Sequence, residues 1–223
     1  MNCLKCVKAN LKKEDYCNGY CDFCFIGIIK KRVRSYFRKT KCIKPEYKLI
    51  ILDDVSRWLI SNCISFQIEI IDANESLKKM NSLKKEEIKK SVIKKSTKDV
   101  RRKGSIKKGF IGNINTELLK SIAAKEKADA VLLPITLDNE VHCFLESLFS
   151  ESFSIPRLQP PFISILTTIT HEEIKRLCRL KNLNFEFEKN DAIYTMINDI
   201  EKKYRGKKFS LSSSLQELKK LSF

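Results

Sequence analysis

The chain has 223 residues, 43% apolar and 32% charged, which is enough for one α/β domain with a small appendage but not for two full-sized domains. A packed core is therefore expected, and no apolar run reaches the roughly 18–20 residues that a membrane span needs. The first residues lack the apolar stretch of a secretory signal. We therefore expect a cytoplasmic protein whose nine cysteines are metal ligands or buried thiols.

The formal net charge of +17 is concentrated in two segments. Residues 30–48 contain nine basic side chains and one acidic one, and residues 78–108 contain fourteen basic and three acidic ones. The remainder is close to neutral, which argues against a surface that is merely rich in lysine. This distribution favours a polyanionic partner, with RNA or DNA ahead of a membrane surface.

Two CxxC pairs open the chain, Cys3 with Cys6 and Cys21 with Cys24, and fourteen residues separate them. Each pair offers two thiolates on one turn, and two such turns give the tetrahedral four-sulfur set that zinc prefers. The spacing predicts a structural zinc site, which supplies the folding energy of a segment too short for a core of its own. Whether Cys17 replaces one ligand is left open, and an iron–sulfur cluster on the same thiolates is the alternative.

A basic amphipathic helix is predicted over residues 26–39. Ile26, Ile29, Val33 and Phe37 recur at helical spacing and should face the core, with the basic residues turned outward. This helix and the second basic segment supply the candidate RNA contacts. The candidates are Lys30, Lys31, Arg34, Arg38, Lys89, Lys90, Lys94, Lys95, Arg101 and Arg102.

A buried strand over residues 49–52 is predicted to feed a helix at about residues 57–63, followed by a second strand over residues 66–71. The connecting residues 53–57 contain no glycine and carry two carboxylates. A phosphate-binding loop needs backbone N–H groups that are free to face an anion. We therefore expect no nucleotide binding at this position.

The rest of the chain alternates strands with helices, which predicts a mostly parallel sheet. A helix is expected over residues 78–99 and a basic loop over residues 101–104. The later elements are helix 116–127, strand 130–134, helix 140–149, strand 162–166, a helix opened by a capping box at Thr170 and Glu173, and closing helices 193–204 and 215–221. No catalytic constellation is predicted, Cys143 and Cys178 are expected in the core, and the lack of further CxxC pairs offers no support for a second metal site.

These segments together resemble the cytoplasmic tRNA 2-thiolation protein 2 family, the partner subunit of the eukaryotic enzyme that thiolates the wobble uridine of certain tRNAs. The likeness begins with the two cysteine pairs and the Phe25 that follows them, and continues through the basic residues 33–38. It extends to the order of the later elements, in residues 48–52, 130–149 and 162–180. Residues 193–218 resemble the closing helix, Ser/Thr-rich turn and final helix of the family, with Tyr204 and the turn at residues 210–214.

The resemblance implies a degenerate N-type ATP pyrophosphatase (PP-loop) fold, Rossmann-like with a mostly parallel sheet, and an N-terminal zinc-ribbon-like module. Residues 1–45 would form the zinc module and basic helix, and residues 46–223 the PP-loop-like domain with a basic insert at about 78–108. The Ser-Gly-Gly-x-Asp-Ser loop of the active paralogous subunit is represented by residues 53–57. The resemblance therefore implies a subunit with no catalytic or cofactor-binding residues beyond its structural zinc ligands.

The implied function is that of a non-catalytic subunit of the cytosolic tRNA 2-thiolation complex, which contributes a scaffold and a tRNA-binding surface. Its partners would be the catalytic subunit in a heterodimer, tRNA and, indirectly, the ubiquitin-related modifier that carries the sulfur. The alternative is a stand-alone zinc-ribbon RNA-binding protein associated with the ribosome. An active adenylating enzyme is opposed by the glycine-free segment.

Overall fold

The computed structural model describes residues 3–6, 19–72, 116–149, 161–187 and 191–221. In chain order the elements are α1 (Asp22–Thr40), β1 (Lys48–Ile51), α2 (Asp54–Cys63), β2 (Glu69–Asp72), α3 (Thr116–Glu126), β3 (Ala130–Leu132), α4 (Leu137–Phe149), β4 (Phe162–Ile163), a 3-10 helix (Leu166–Thr168), α5 (His171–Lys181), α6 (Ala192–Lys203) and α7 (Lys207–Leu221).

The strands of the described residues form one parallel sheet in the order β2-β1-β3-β4. Leu49 pairs with Ala130, and Val131 pairs with Phe162. The chain moves from β1 outward to β2 on one side and from β3 outward to β4 on the other, so the strand order reverses between β1 and β3. Ligands of open α/β sheets bind beyond the carboxyl ends of the strands at such a point. The predicted α/β fold with a parallel sheet is confirmed.

Residues of the central strands alternate between two apolar layers. Leu49 and Ile51 pack with α1, α2 and α5 on one face, whereas Ile50 packs with α3 on the other. All three side chains are at most 1% exposed. Because both faces are covered, residues 49–51 of β1 and 130–132 of β3 form unbroken apolar runs, as is typical of a parallel sheet.

Helix α1 attaches the N-terminal segment to this core. It begins at Asp22, earlier than predicted, and ends before Lys41, which adopts the left-handed conformation at φ 49°. Ile29 and Val33 are fully buried, as the periodicity predicted, in the same cluster as β1. The division into a module of residues 1–45 and a domain of residues 46–223 stays a prediction.

Two boundaries at the carboxyl edge of the sheet differ from the prediction. Helix α2 begins at Asp54 rather than near residue 57, because the Asp53 side chain accepts a hydrogen bond from the Ser56 N–H at 2.7 Å and caps the helix. Strand β4 ends at Ile163 instead of residue 166. The buried Ser164 donates its hydroxyl to the Ile135 carbonyl at 2.6 Å, and the chain then turns into the 3-10 helix.

The predicted Ser-rich turn at residues 210–214 is wrong, since α7 runs unbroken from Lys207 through this segment. The Ser210 and Ser214 hydroxyls donate to the carbonyls four residues earlier, at 3.3 and 3.1 Å. Ser212 instead donates to the Glu140 carboxylate of α4 at 2.9 Å. With their hydroxyls satisfied in this way, serines are tolerated inside a helix.

The predicted elements over residues 78–108 lie outside the described residues, and so does Cys17. The same holds for six of the candidate RNA contacts, namely Lys89, Lys90, Lys94, Lys95, Arg101 and Arg102. Within the described ranges, no helix has both the length and the apolar character needed to cross a membrane.

Candidate metal centre and basic groove

The four cysteines of the two CxxC pairs form one cluster. The sulfurs of Cys3, Cys6, Cys21 and Cys24 all lie within 4.8 Å of one another, and the Cys6 and Cys21 sulfurs are 3.7 Å apart. Cys21 is the N-cap of α1 and Cys24 lies in its first turn. A hydrogen bond of 2.8 Å from the Leu4 N–H to the Gly19 carbonyl joins the two segments. The arrangement can hold one metal ion.

The thiols of this cluster have unequal acidities. The Cys21 and Lys5 N–H groups lie 3.4 and 3.5 Å from the Cys3 sulfur, and such donors lower the pKa of Cys3 to about 6. Burial and the neighbouring cysteine sulfurs raise the pKa of Cys24 to about 12. Because thiolates are the metal ligands, binding of a cation would displace the protons that remain on the cluster.

Arg176 of α5 fastens the second cysteine pair to the main domain. Its guanidinium donates to the Asp22 carboxylate at 2.7 Å and to the Tyr20 carbonyl at 2.9 Å. The same group lies 4.6 Å from the centre of the Phe25 ring, and Arg176 is only 3% exposed. This contact spans more than 150 residues of sequence, and no spacing or motif in the sequence signals it.

Three of the four predicted basic residues of α1 line a groove of about 650 Å³ between α1 and the end of α2. Lys31, Arg34 and Arg38 form its basic wall, and all three are exposed. Arg34 is oriented by a hydrogen bond of 3.0 Å to the Asn62 carbonyl. The other lining residues are Phe37, Ile43, Asn62, Cys63, Ile64, Ser65 and Phe66.

Lys30, the fourth predicted contact on α1, lies outside the groove lining and is engaged within the protein. Its ammonium donates to the Asn62 side-chain oxygen at 2.9 Å and lies 5.1 Å from the centre of the Trp58 ring. Sequence reasoning missed the aromatic side chain of Phe66, which is 38% exposed. Basic and aromatic groups side by side are typical of surfaces that bind single-stranded nucleic acid. RNA binding itself stays a prediction.

Beyond β1, the N-terminus of α2 is occupied by its own cap. One oxygen of Asp53 takes up the Ser56 N–H, while the other oxygen and the Ser56 hydroxyl are buried without a hydrogen-bond partner among the described residues. Burial raises the pKa of Asp53 above its usual value. A carboxylate in the position where an anion would meet the helix N–H groups opposes phosphate binding.

Beyond β3, a buried ion pair links α4 to α7. The Lys208 ammonium donates to the Asp138 carboxylate, and the two side chains are 3% and 1% exposed. Lys208 also donates to the Asn198 side-chain oxygen at 2.8 Å. The second oxygen of Asp138 accepts a hydrogen bond from the backbone N–H of His171 at 2.7 Å. Asp138 is therefore a buried structural residue of α4.

Next to this pair, Asn139 connects three elements. Its side-chain oxygen accepts the Thr136 N–H at 2.9 Å, and its amide donates to the Tyr194 hydroxyl of α6. The His171 ring stacks near Tyr194 at 5.6 Å between centroids. Burial, with Lys208 and Lys175 as smaller contributors, lowers the pKa of His171 to about 4.

No protein-family model and no curated protein matches this chain. The solved structures that are similar include the U34-tRNA thiolase NcsA from Methanococcus maripaludis with its 4Fe–4S cluster. The TM-score is 0.66 at 17% sequence identity, and the match covers 98% of this chain and 87% of that chain. This likeness shows that the chain has an α/β fold with a parallel sheet similar to the fold of that tRNA thiolase.

Proposed function

We propose that this chain is a non-catalytic subunit of a cytosolic tRNA 2-thiolation complex, required for 2-thiolation of the wobble uridine. The observation that carries the proposal is the structural likeness to a U34-tRNA thiolase over 98% of the chain. In the proposed complex the chain forms a heterodimer with the catalytic subunit, which receives its sulfur from a ubiquitin-related modifier. The chain itself supplies a scaffold and a tRNA-binding surface.

The capped N-terminus of α2 supports the absence of catalysis by this chain. Activation of a uridine with ATP needs a helix N-terminus or loop whose N–H groups are open to phosphate. Here Asp53 takes up the Ser56 N–H at 2.7 Å, and Asp54 adds a second acid to the first turn. A phosphate would have to displace one carboxylate and approach another.

Zinc is the proposed occupant of the cysteine cluster. A tetrahedral zinc ion with Zn–S bonds of about 2.3 Å holds its sulfurs about 3.8 Å apart, close to the 3.7 Å between Cys6 and Cys21. In a 4Fe–4S cube each thiolate binds a different iron, which spreads the sulfurs around the outside of the cluster. Sulfurs that all lie within 4.8 Å of one another fit a single ion better.

Metal analysis tests this assignment. Protein purified without oxygen should show no iron–sulfur absorption, and Cys24→Ser should contain one zinc fewer per chain than wild type. Cys63→Ser, which removes a half-buried thiol of α2, is the matched control and should retain the wild-type content. An iron–sulfur spectrum that disappears in Cys24→Ser would show that the four cysteines hold an iron–sulfur cluster instead of zinc.

The groove is the proposed tRNA contact of α1. Phosphate contacts make the logarithm of affinity fall linearly with the logarithm of salt concentration. Replacing Lys31, Arg34 and Arg38 together by Gln should reduce that slope by about two to three units. A control that removes the same charge from exposed positions elsewhere, Lys125, Lys127 and Arg179 to Gln, should leave the slope near wild type. Equal salt-dependence slopes in both triple variants would show that the groove is not the tRNA contact.

Thiolation in cells tests the proposed function as a whole. Loss of the gene should abolish 2-thiouridine in the affected tRNAs, measured by retardation on a mercury-containing gel. If α2 has no catalytic role, Asp53→Ala and Ser56→Ala should retain thiolation. A catalytic subunit should also co-purify with the chain in stoichiometric amount. Normal thiolation without the gene would refute the proposal, and loss of thiolation in Ser56→Ala would refute its non-catalytic part.

A stand-alone zinc-ribbon RNA-binding protein is the second candidate. The basic groove of α1 favours it, because a groove of this kind requires no protein partner to bind RNA. Affinity purification from native cells separates the two functions. Recovery of RNA or ribosomes without a stoichiometric protein partner would favour the second candidate.

A further inference from the structure

Helix α4 carries a second group of metal-ligating side chains. His142, Cys143 and Glu146 lie within little more than one helical turn, and one ligand atom of each lies within 4.8 Å of the others. His142 is buried, while Cys143 and Glu146 are half-buried. The group therefore has one enclosed ligand and two that remain accessible from the surface.

The imidazole of His142 is held in a single orientation. Its Nε2 lies 2.7 Å from the Asp191 carboxylate at the start of α6, and its ring stacks on Tyr194 at 4.3 Å between centroids. A carboxylate accepts hydrogen bonds and does not donate them, so Nε2 carries the hydrogen. In the neutral ring Nδ1 then offers its lone pair.

That lone pair has no partner in the described part of the chain. His142 is 7% exposed, and its Nδ1 atom is buried without a hydrogen bond to any described residue. Buried polar atoms are almost always paired, so one that is not calls for an explanation. A thiol and a carboxylate within 4.8 Å of a ring nitrogen of His142 supply one, because these three groups together are a donor set for a metal ion.

We propose that His142 Nδ1, the Cys143 thiolate and the Glu146 carboxylate form a second metal site, specific for a divalent ion of the zinc class. Asp191 is its positioning residue, since metal-binding histidines donate their other ring N–H to a carboxylate that fixes the tautomer. Three protein ligands leave the fourth tetrahedral position to water.

The geometry requires little movement. A tetrahedral zinc ion holds nitrogen, oxygen and sulfur ligands about 3.3–3.8 Å apart, slightly closer than the 4.8 Å limit within which these atoms lie. Small rotations of the Cys143 and Glu146 side chains on one helix close that gap. Because it has fewer thiolates than the N-terminal cluster and an open position, this site should bind zinc more weakly and exchange it faster.

Equilibrium dialysis of the full-length protein against buffered zinc at micromolar free concentration tests the site. Wild type should bind one zinc more per chain than Cys143→Ser or Glu146→Gln. Asp191→Asn should retain the site with about 10–100-fold weaker affinity, because Asn still caps α6. Cys178→Ser, a half-buried helical thiol, is the matched control and should bind as wild type does.

Cobalt gives a second measurement that identifies the thiolate. Wild type should show a thiolate-to-cobalt absorption for the additional ion that is lost in Cys143→Ser and retained in Cys24→Ser. The latter variant separates this site from the N-terminal cluster and from the proposed function. Equal zinc content in wild type, Cys143→Ser and Glu146→Gln, with all three folded by circular dichroism, would overturn the proposal.

Discussion

The carboxyl edge of the sheet has two halves that differ in how their polar groups are satisfied. Beyond β1, one oxygen of Asp53 and the Ser56 hydroxyl are buried without a partner among the described residues. Beyond β3, Asp138 and Asn139 are joined by hydrogen bonds to the two C-terminal helices. A fully paired buried network stabilises a fold, whereas unpaired buried groups reduce its stability. The network of Asp138 and Asn139 beyond β3 is therefore part of the structural framework, while the β1 half keeps polar atoms that stability does not require.

Breaking the buried ion pair should have the largest effect on this comparison. Lys208→Met keeps the length of the side chain but leaves the buried Asp138 carboxylate without its cation, with only the backbone N–H of His171 as a donor. The free energy of unfolding should fall by about 3–5 kcal/mol in a urea titration. Lys202→Met removes an exposed pair with Asp199 and should change stability by less than about 0.5 kcal/mol. Similar effects of the two variants would show that the buried ion pair contributes no more to stability than the exposed one.

Protonation of His171 should weaken the same half of the edge. Its folded pKa of about 4 lies below the unfolded value of about 6.5, so the unfolded state gains a proton first as the pH falls. The stabilisation is complete above pH 6.5 and is lost towards pH 4, by about 3 kcal/mol in total. Urea titrations at pH 7 and pH 4.5 should show this loss in wild type and a smaller one in His171→Gln. Parallel losses in both proteins would contradict the prediction.

Two buried hydroxyls, one in each half, permit a direct comparison. Ser56 and Thr136 are both 0% exposed. The Thr136 hydroxyl donates to the Asn139 side-chain oxygen, whereas the Ser56 hydroxyl has no hydrogen-bond partner among the described residues. Thr136→Val should lower the free energy of unfolding by about 1–2 kcal/mol, whereas Ser56→Ala should leave it unchanged or raise it. Chemical denaturation checks both. A loss in Ser56→Ala as large as that in Thr136→Val would mean that the two halves do not differ.

Asp53→Asn should have the smallest effect, and it should be stabilising. Burial raises the pKa of Asp53 above 3.8, so the charged form costs stability once the pH exceeds the unfolded value. Asn also caps a helix, and the gain should reach a few tenths to about 1 kcal/mol at pH 7. Because Asp53 is protonated in acid, the gain should disappear below about pH 4. Asp54→Asn, at the neighbouring half-buried acid of the first turn, is the control. A gain that persists unchanged in acid would refute the explanation.

Features that depend on residues close together in the sequence could be predicted. The apolar runs at residues 49–52 and 130–133 predicted buried strands, because a sheet covered on both faces needs unbroken apolar strands. The capping box of Thr170 and Glu173 was confirmed, since both of its hydrogen bonds join residues three apart. The two CxxC pairs predicted that four thiols would meet, and their sulfurs do meet.

Contacts between distant segments could not be predicted. Arg176 reaches Asp22, and Lys208 reaches Asp138, and neither pair has a spacing that a local pattern could detect. The group of His142, Cys143 and Glu146 was missed for a related reason. A search for CxxC pairs overlooks a site made of three different residue types, and the carboxylate that orients the imidazole comes from another helix.

The continuity of α1 makes the spacing between the cysteine cluster and the groove a matter of counting residues. Arg34 lies ten positions after Cys24, which places the two residues about 15 Å apart along the axis at 1.5 Å per residue. Lys31, Arg34 and Arg38 share one stripe because they are three and four residues apart. Insertion of a single residue between Cys24 and Lys31 would turn that stripe by about 100° relative to the cysteines. Helix α1 therefore fixes both the distance and the angle between the four cysteine sulfurs at its start and the three basic residues of the groove.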